Sequence, residues 1–376
     1  MFSSQNSSFN YSLFFIIAIL VFLGFLNTFL ASIPFSLQKH GNSWHFGLHQ
    51  LLFGLIPGIF LAVFFYKLNL NFLKKFSLLF LFLNIILLLL IFLPVIGVEI
   101  YGSRRWLKLG PILFQPSELL KITFLIYLSA WLSSKILKKR DLIQNSWQIL
   151  FVFLIILILI GTILLAQPDF STFFLILILG FLLYFLSSTP LWHLLILVSG
   201  GIIISIFLII TAPYRLARVL PIIHGKIDPL GIGYQLEQSL IAIGSGGLMG
   251  IEEGFSLGLS RQKFGFLPHS LTDSIFAIIG EEMGFIGCGI IVLLFIFLAW
   301  QGFKMAKKVS NEFNYLLVNG IIFWLVFQAF FNIAGNIGIL PLAGIPLPFF
   351  SYGASHFLVE MIGIGILLNI GKRGQG

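Results

Sequence analysis

The 376-residue chain is 59% hydrophobic and only 9% charged, and its 22 Lys and Arg against 13 Asp and Glu give a formal net charge of +9. A soluble domain carries roughly 25% charged residues, so the composition excludes an ordinary water-soluble globule and points to an integral membrane protein. The single cysteine, Cys288, excludes a disulfide framework and a cysteine-based metal site. The 44 phenylalanines read as lipid-facing filler and imply no cofactor.

Taken in order, apolar runs long enough to cross a hydrocarbon core of roughly 30 Å fall near residues 12–32, 46–66, 75–96, 117–135 and 148–166. Five more fall near 170–188, 192–212, 273–300, 315–340 and 350–371. The reading is an all-α integral membrane protein of about ten transmembrane helices, forming a single polytopic domain over residues 1–376. The first run follows an uncharged polar start, so no cleavable signal is expected. Lys67, Lys74 and Lys75, then Lys135, Lys138, Lys139 and Arg140, then Lys304, Lys307 and Lys308, then Lys372 and Arg373 sit in short connections or at the end. An even number of spans puts all of these on one face, which the positive-inside rule makes cytoplasmic, together with both termini. The basic balance is thus a topology signal and gives no reason to expect nucleic acid.

Three segments on the opposite, outer face carry the chemistry. The first, 97–116, holds the adjacent guanidiniums Arg104 and Arg105, suited to phosphate oxygens, or equally to snorkelling at headgroups. Trp106 beside them is either a contact residue or an interfacial anchor. Gln115-Pro116-Ser117-Glu118 is a helix start, and Glu118 can pair with Lys121 three residues on.

The second segment is the long, Gly-punctuated loop between the seventh and eighth spans, about 213–272. A loop of that length in a compact protein is usually functional or disordered, and this one is too apolar for disorder. It carries Arg215, Arg218, Arg261 and Lys263. Its stretch Tyr234–Ile243 has helical apolar spacing with Gln235 and Gln238, and reads as a short helix lying at or dipping into the interface. Gly244-Ser245-Gly246-Gly247 then breaks it; such a turn can cradle an anion. The loop ends at Asp273, at the mouth of the eighth helix. That residue is placed to take a proton from a hydroxyl or to hold a cation, or simply to cap the helix. Glu281 and Glu282 lie about two turns deeper, where a carboxylate is costly and marks either a watered site or a structural partner for a buried cation. The third segment, Asn332–Phe357, is broken by Pro and Gly. Irregular backbone at membrane depth survives only where protein or a cavity surrounds it, so it reads as a wall of the same cavity. His269 and His356 face that side but make only a weak metal signal.

The stretches GSRRW…QPSELLK, GYQ..QSLIAIGSGGLMG, SRQKFGFLP..TD.IFAIIGEEMGFIG and LP..GIPLPFFSYGAS resemble, in order, the motifs of the SEDS (FtsW/RodA/SpoVE) family. The resemblance covers about residues 12–371, and Arg104 before Arg105-Trp106 is similar to the division-type FtsW branch. It implies a ten-helix glycosyltransferase of the bacterial cytoplasmic (inner) membrane, working at the division septum. The activity implied is polymerisation of lipid II into β-1,4-linked glycan strands on the outer face, with a class B penicillin-binding transpeptidase and other division proteins as partners. The family's essential aspartate maps onto Asp273, its tryptophan onto Trp106, and its Glu and Lys onto Glu118 and Lys121. The chain departs from the family at His269, Leu271, Ser274 and Ala354, so no role of the acid, His or Phe expected at the first three can be carried over.

On this reading Asp273 is general base or metal ligand for the acceptor hydroxyl. Arg104, Arg105, Arg215, Arg218, Arg261 and Lys263 offset charge on the undecaprenyl diphosphate that leaves the donor glycan. A divalent cation, Mg²⁺ or Mn²⁺, is an expected helper, its ligands unassigned. The rival readings are a lipid II flippase, which buried carboxylates and broken segments also suit, a non-catalytic division scaffold, and an elongation-type (RodA-like) polymerase.

Overall fold

The structure is a computed structural model that describes residues 10–100, 103–110, 112–136, 146–187, 189–211, 232–251, 258 and 260–373. The chain starts with helix α1 (Tyr11–His40), capped by the Asn10 side chain, which accepts from Leu13 N–H, and ended by Gly41 in the left-handed conformation. Next come α2 (His45–Lys67), α3 (Leu70–Lys75) and α4 (Ser77–Leu90). A three-stranded antiparallel sheet then intervenes, β1 (Gly97–Ile100), β2 (Ser103–Leu109) and β3 (Ile112–Phe114). Val98 faces Trp106 across the first pair, and Leu107 faces Phe114 across the second. Helices α5 (Pro116–Ile136), α6 (Ser146–Ala166), α7 (Phe170–Leu186), α8 (Leu191–Thr211) and α9 (Ile232–Ser245) follow, then α10 (Ile275–Ala306), α11 (Glu312–Asn336) and α12 (Ala354–Arg373).

The expected count of about ten spans is corrected: among the described residues seven helices are long and apolar enough to cross a membrane. Those seven are α1, α2, α6, α8, α10, α11 and α12. The three shortfalls have local causes. The run at 75–96 yields only the 14 residues of α4, because the chain breaks at Phe76 and turns again after Leu90. The run at 170–188 yields the 17 residues of α7, whose start is fixed by Asp169 accepting from Thr172 N–H. Helix α5 has the length, but Glu118, Lys121 and Lys135 lower its hydropathy. Its polar groups turn inward, with Ser117, Glu118, Lys121, Ser129 and Ser133 all buried. The parity argument for the termini goes with the count.

Contacts nevertheless gather the basic segments at one end of the bundle. Lys74 lies over the ring of Phe313, at the start of α11, and Lys372 lies over Tyr66. Asn369 Nδ2 donates to the carbonyls of Phe65 and Leu68. The sheet, the head of α10 and the irregular segment between α11 and α12 share the other end.

The long polar loop is not wholly extramembrane. Helix α9 descends beside α10: Gln235 Nε2 donates to Ser274 Oγ at 2.9 Å near the top, and Gly246 reaches Gly280 lower down. Ser260–Lys263 lie back against the same stretch of α10, at Glu281 and Glu282, so that α9 and this returning limb make a re-entrant hairpin. Helix α10 is kinked to receive it, with Gly284 at φ +64°. The kink frees Phe285 and Ile286 N–H to donate to Gly247 and Leu248 carbonyls at 2.9 and 3.1 Å. A Cβ on Gly246 would sit 1.9 Å from Gly280 O, and one on Gly284 would sit 2.5 Å from Gly250 N. The Gly-rich turn therefore serves backbone interlocking. Gly284→Ala is expected to cost about 1–3 kcal/mol because φ +64° with ψ −164° is a conformation essentially only glycine adopts, and about 1–3 kcal/mol more for overpacking. A lowered thermal midpoint in detergent would show this; an unchanged midpoint would mean that the hairpin is not seated in the kink.

Candidate active site

Asp273 is half-buried at the head of α10, one residue before the N-cap Ser274. The turn before it is set by His269, whose backbone lies at φ +53° and whose carbonyl accepts from Thr272 and Ser274 N–H at 3.0 and 3.2 Å. The departing side chain at 269 is thus exposed on a turn, while backbone bonds shape the approach to Asp273.

Facing Asp273 is the segment between α11 and α12, which has no regular structure from Pro341 to Leu347. A Cβ on Gly344, at φ +68°, would stand 3.4 Å from Asp273 Oδ2, so this backbone closes on the carboxylate. Side chains bond several backbone groups of the segment and of the turn after it, as buried backbone requires. Gln328 Nε2 donates to Pro346 O at 3.0 Å, and Asn332 Nδ2 to Ile345 O at 2.7 Å. Ser171 Oγ donates to Ala343 O, and Thr28 Oγ1 to Phe350 O. Phe349 N–H donates to Glu360 Oε2 at 2.9 Å. Ser351 Oγ donates to Thr272 O at 2.6 Å, and Tyr352 N–H to Leu271 O at 2.7 Å, which ties this wall to the Asp273 turn. Burial pushes the Tyr352 phenol up to about 12, so it stays neutral beside His49 Nδ1 at 3.0 Å. Asn332 also holds the other side, together with Asn336: their Nδ2 atoms donate to Asp273 O at 2.8 and 2.9 Å.

A guanidinium is fixed beside this wall. Arg105 Nε donates to Gln167 O at 3.2 Å, Arg105 Nη2 to Pro168 O, and Nη1 lies 3.8 Å from Asp169 Oδ1. Asp169 also accepts from Ser117 Oγ at 2.9 Å. The heads of α5 and α7 and strand β2 thus meet at one ionic knot, two residues from Ser171 and its bond to the wall. Trp106, next on β2, is half-buried. Arg104 is exposed and pairs with Glu99 at 3.2 Å.

The other candidate residues separate. Glu118 and Lys121 form a buried pair at 2.7 Å, and Lys121 Nζ also donates to Gln328 Oε1 at 3.1 Å. Lys263 is buried against Glu282 at 3.0 Å. Glu281 accepts from Ser260 Oγ and from Arg261 and Gln262 N–H at 3.0 and 3.2 Å. The two deep carboxylates therefore clasp the returning limb of the hairpin. Arg261 is exposed on that limb, while Gln235 and Gln238 are half-buried on α9. Arg215 and Arg218 lie outside the described residues. His356 is buried on α12 with Nδ1 3.3 Å from Glu360 Oε1, apart from the exposed His269.

Sequence reasoning missed Asp169, Gln328, Asn332 and Asn336. Asp169 passed as a helix break between two apolar runs. The three amides recur every four residues on an otherwise apolar helix, a one-sided polar stripe that was visible but had no partner in sight.

The sequence pattern of the FTSW_RODA_SPOVE family, described as cell cycle protein, matches residues 11–375. The chain is 33% identical over 360 residues to stage V sporulation protein E of Bacillus subtilis (strain 168), covering 94% of each chain. It is 34% identical over 359 residues to the probable peptidoglycan glycosyltransferase FtsW of Wigglesworthia glossinidia brevipalpis, covering 95% of this chain and 91% of that one. Among solved structures it is similar to a chain from a peptidoglycan synthase complex described as coordinating polymerization and crosslinking, with TM-score 0.78 and 26% identity over 98% of both chains. The rod shape determining protein RodA of Thermus thermophilus superposes with TM-score 0.69 and 25% identity over 97% of both chains.

Proposed function

This chain belongs to the FtsW/RodA/SpoVE family, and we infer that it is a membrane glycosyltransferase polymerising lipid II into peptidoglycan glycan, with Asp273 acting on the acceptor hydroxyl. The observation that carries the reading is the half-buried Asp273 carboxylate set against the Gly344 backbone, on a turn braced from α11 and from the facing wall. In the reaction the acceptor sugar's 4-hydroxyl loses its proton to Asp273 as its oxygen bonds the anomeric carbon of the donor glycan. The bond from that carbon to the undecaprenyl diphosphate breaks, and the electron pair leaves with the diphosphate. Fixed cations lower the barrier for that departure because they need no reorganisation. Arg105 is held for such a role by two carbonyls and Asp169.

A divalent cation fits the same site. Mg²⁺ binds through one or two carboxylates together with substrate phosphates, and Asp273 offers one carboxylate at the mouth. When bound it supplies charge compensation for the diphosphate. The basic end of the bundle faces the cytoplasm by the positive-inside rule, which puts Asp273 on the outer face, where a crosslinking partner works. Work at the division septum beside a class B transpeptidase is part of the same proposal, and the likeness to FtsW relatives supports the division-type branch.

The test is polymer formation from labelled lipid II by the purified chain with its transpeptidase, with and without EDTA and with Mg²⁺ or Mn²⁺ restored. Polymer from the intact complex is the expected result, and its absence would move a transport role ahead. Loss in EDTA with recovery on metal addition would assign the cation; indifference to EDTA would leave Asp273 as base alone.

A further inference from the structure

Three amides lie at four-residue intervals on α11, Gln328, Asn332 and Asn336, so one helical face carries all of them. All three are buried, and each donates an N–H to a carbonyl of the Asp273 turn or of the facing wall. Asn332 holds a special place among them. Its Nδ2 donates at once to Asp273 O at 2.8 Å and to Ile345 O at 2.7 Å, the residue after Gly344. One side chain thus spans the gap between the turn that carries the carboxylate and the wall that faces it. Asn336 makes a second bond to Asp273 O, and its Nδ2 also reaches Asn332 O at 2.9 Å. Gln328 is aimed at Pro346 O because Trp324 Nε1 and Lys121 Nζ both donate to its Oε1, at 2.8 and 3.1 Å.

We propose that Asn332 is a positioning residue that sets the distance between Asp273 and the Gly344 wall, with Asn336 and Gln328 as its supports. The proposal rests on the glycosyltransferase reading of Asp273. The bonds run to backbone carbonyls, so Asn332 governs where the carboxylate stands and leaves its charge alone. Binding of the lipid-linked substrate should therefore survive its loss better than turnover does.

The experiment measures polymerisation of lipid II by the intact complex carrying Asn332→Leu, Asn332→Ser or Asn336→Leu. For Asn332→Leu, kcat should fall about 10- to 100-fold, the scale of a misplacement of about 1 Å, with KM within about twofold. Asn332→Ser keeps one donor and should recover part of the rate, and Asn336→Leu should lose less than Asn332→Leu. A parallel readout needs no activity: Asp273→Cys in a Cys288→Ala background, labelled by a charged thiosulfonate with and without Asn332→Leu. A changed labelling rate is expected. Wild-type kcat in a folded Asn332→Leu protein, or a raised KM with kcat intact, overturns the proposal, as does an unchanged labelling rate. If Asn332→Leu does not fold, full activity in Asn332→Ser or Asn336→Leu overturns it equally. Wild type that makes no polymer sinks the glycosyltransferase reading instead, and the labelling comparison still judges the positioning role.

Discussion

Asp273→Asn is expected to cut lipid II polymerisation by about 10²- to 10⁴-fold, the usual contribution of a positioned general base, while the protein stays folded. The fold is expected to hold because Asn332 and Asn336 anchor this residue through its backbone carbonyl, which the substitution leaves in place. The asparagine side chain has the shape of the carboxylate and meets the same Gly344 backbone. What disappears is the capacity to accept a proton or to ligate a cation. The check is polymer yield from the purified complex, variant beside wild type, with the thermal midpoint measured on the same samples. Equal polymer from both would remove Asp273 from the chemistry. A variant that has lost both its midpoint and its activity would instead make Asp273 part of the architecture.

The second large effect concerns stability. Glu118→Ala should destabilise the protein by about 3–5 kcal/mol, because it strands the Lys121 ammonium without its charged partner. Lys121 is 1% exposed and, among the described residues, its other partners are the Gln328 amide oxygen and the face of Trp324. Replacing the pair together, Glu118→Leu with Lys121→Met, should be near neutral or even stabilising by about 1–4 kcal/mol, since the desolvation of two charges is removed along with their attraction. Activity should part company with stability in that double variant. Without Lys121, Gln328 loses one of the two donors that aim it at the wall, and polymerisation should drop while the fold holds. Thermal unfolding of the two variants settles the energetic half. A double variant as unstable as the single one would show that the charges themselves hold the helices.

Hydropathy located every apolar run but not the length of helix each would form. Residues 75–96 and 170–188 look alike by composition; what shortens them is the break at Phe76 and the turn after Leu90 in the first and the helix end at Ser187 in the second, local hydrogen-bonding choices that an averaged window hides. Helix α5 was counted by length, although its charges are spent on an internal pair. The sheet at 97–114 went unseen because strands of three to seven residues around two arginines look like a polar loop. The site was legible where it is local. Asp273 stands out as a carboxylate leading into an apolar helix within a long ordered motif. Its supports are not local: Asn332 and Asn336 lie 59 and 63 residues away in sequence, and Arg105 reaches Gln167 over 62. Lys263 was read as a cation for substrate because a pattern of charges does not reveal that Glu282, 19 residues on, already holds it.

The re-entrant hairpin has a consequence for how the protein is made. Its returning limb precedes its receptor in the chain, so at about 5–20 residues per second Lys263 leaves the ribosome roughly one to four seconds before Glu282, 19 residues later. During that interval the limb's Lys263 ammonium has no carboxylate to meet, since Glu282 and the notch at Gly284 have not yet been synthesised. Insertion of this half of the molecule is therefore timed by translation, and a pause placed between codons 263 and 282 would lengthen that interval without altering a single residue of the finished enzyme.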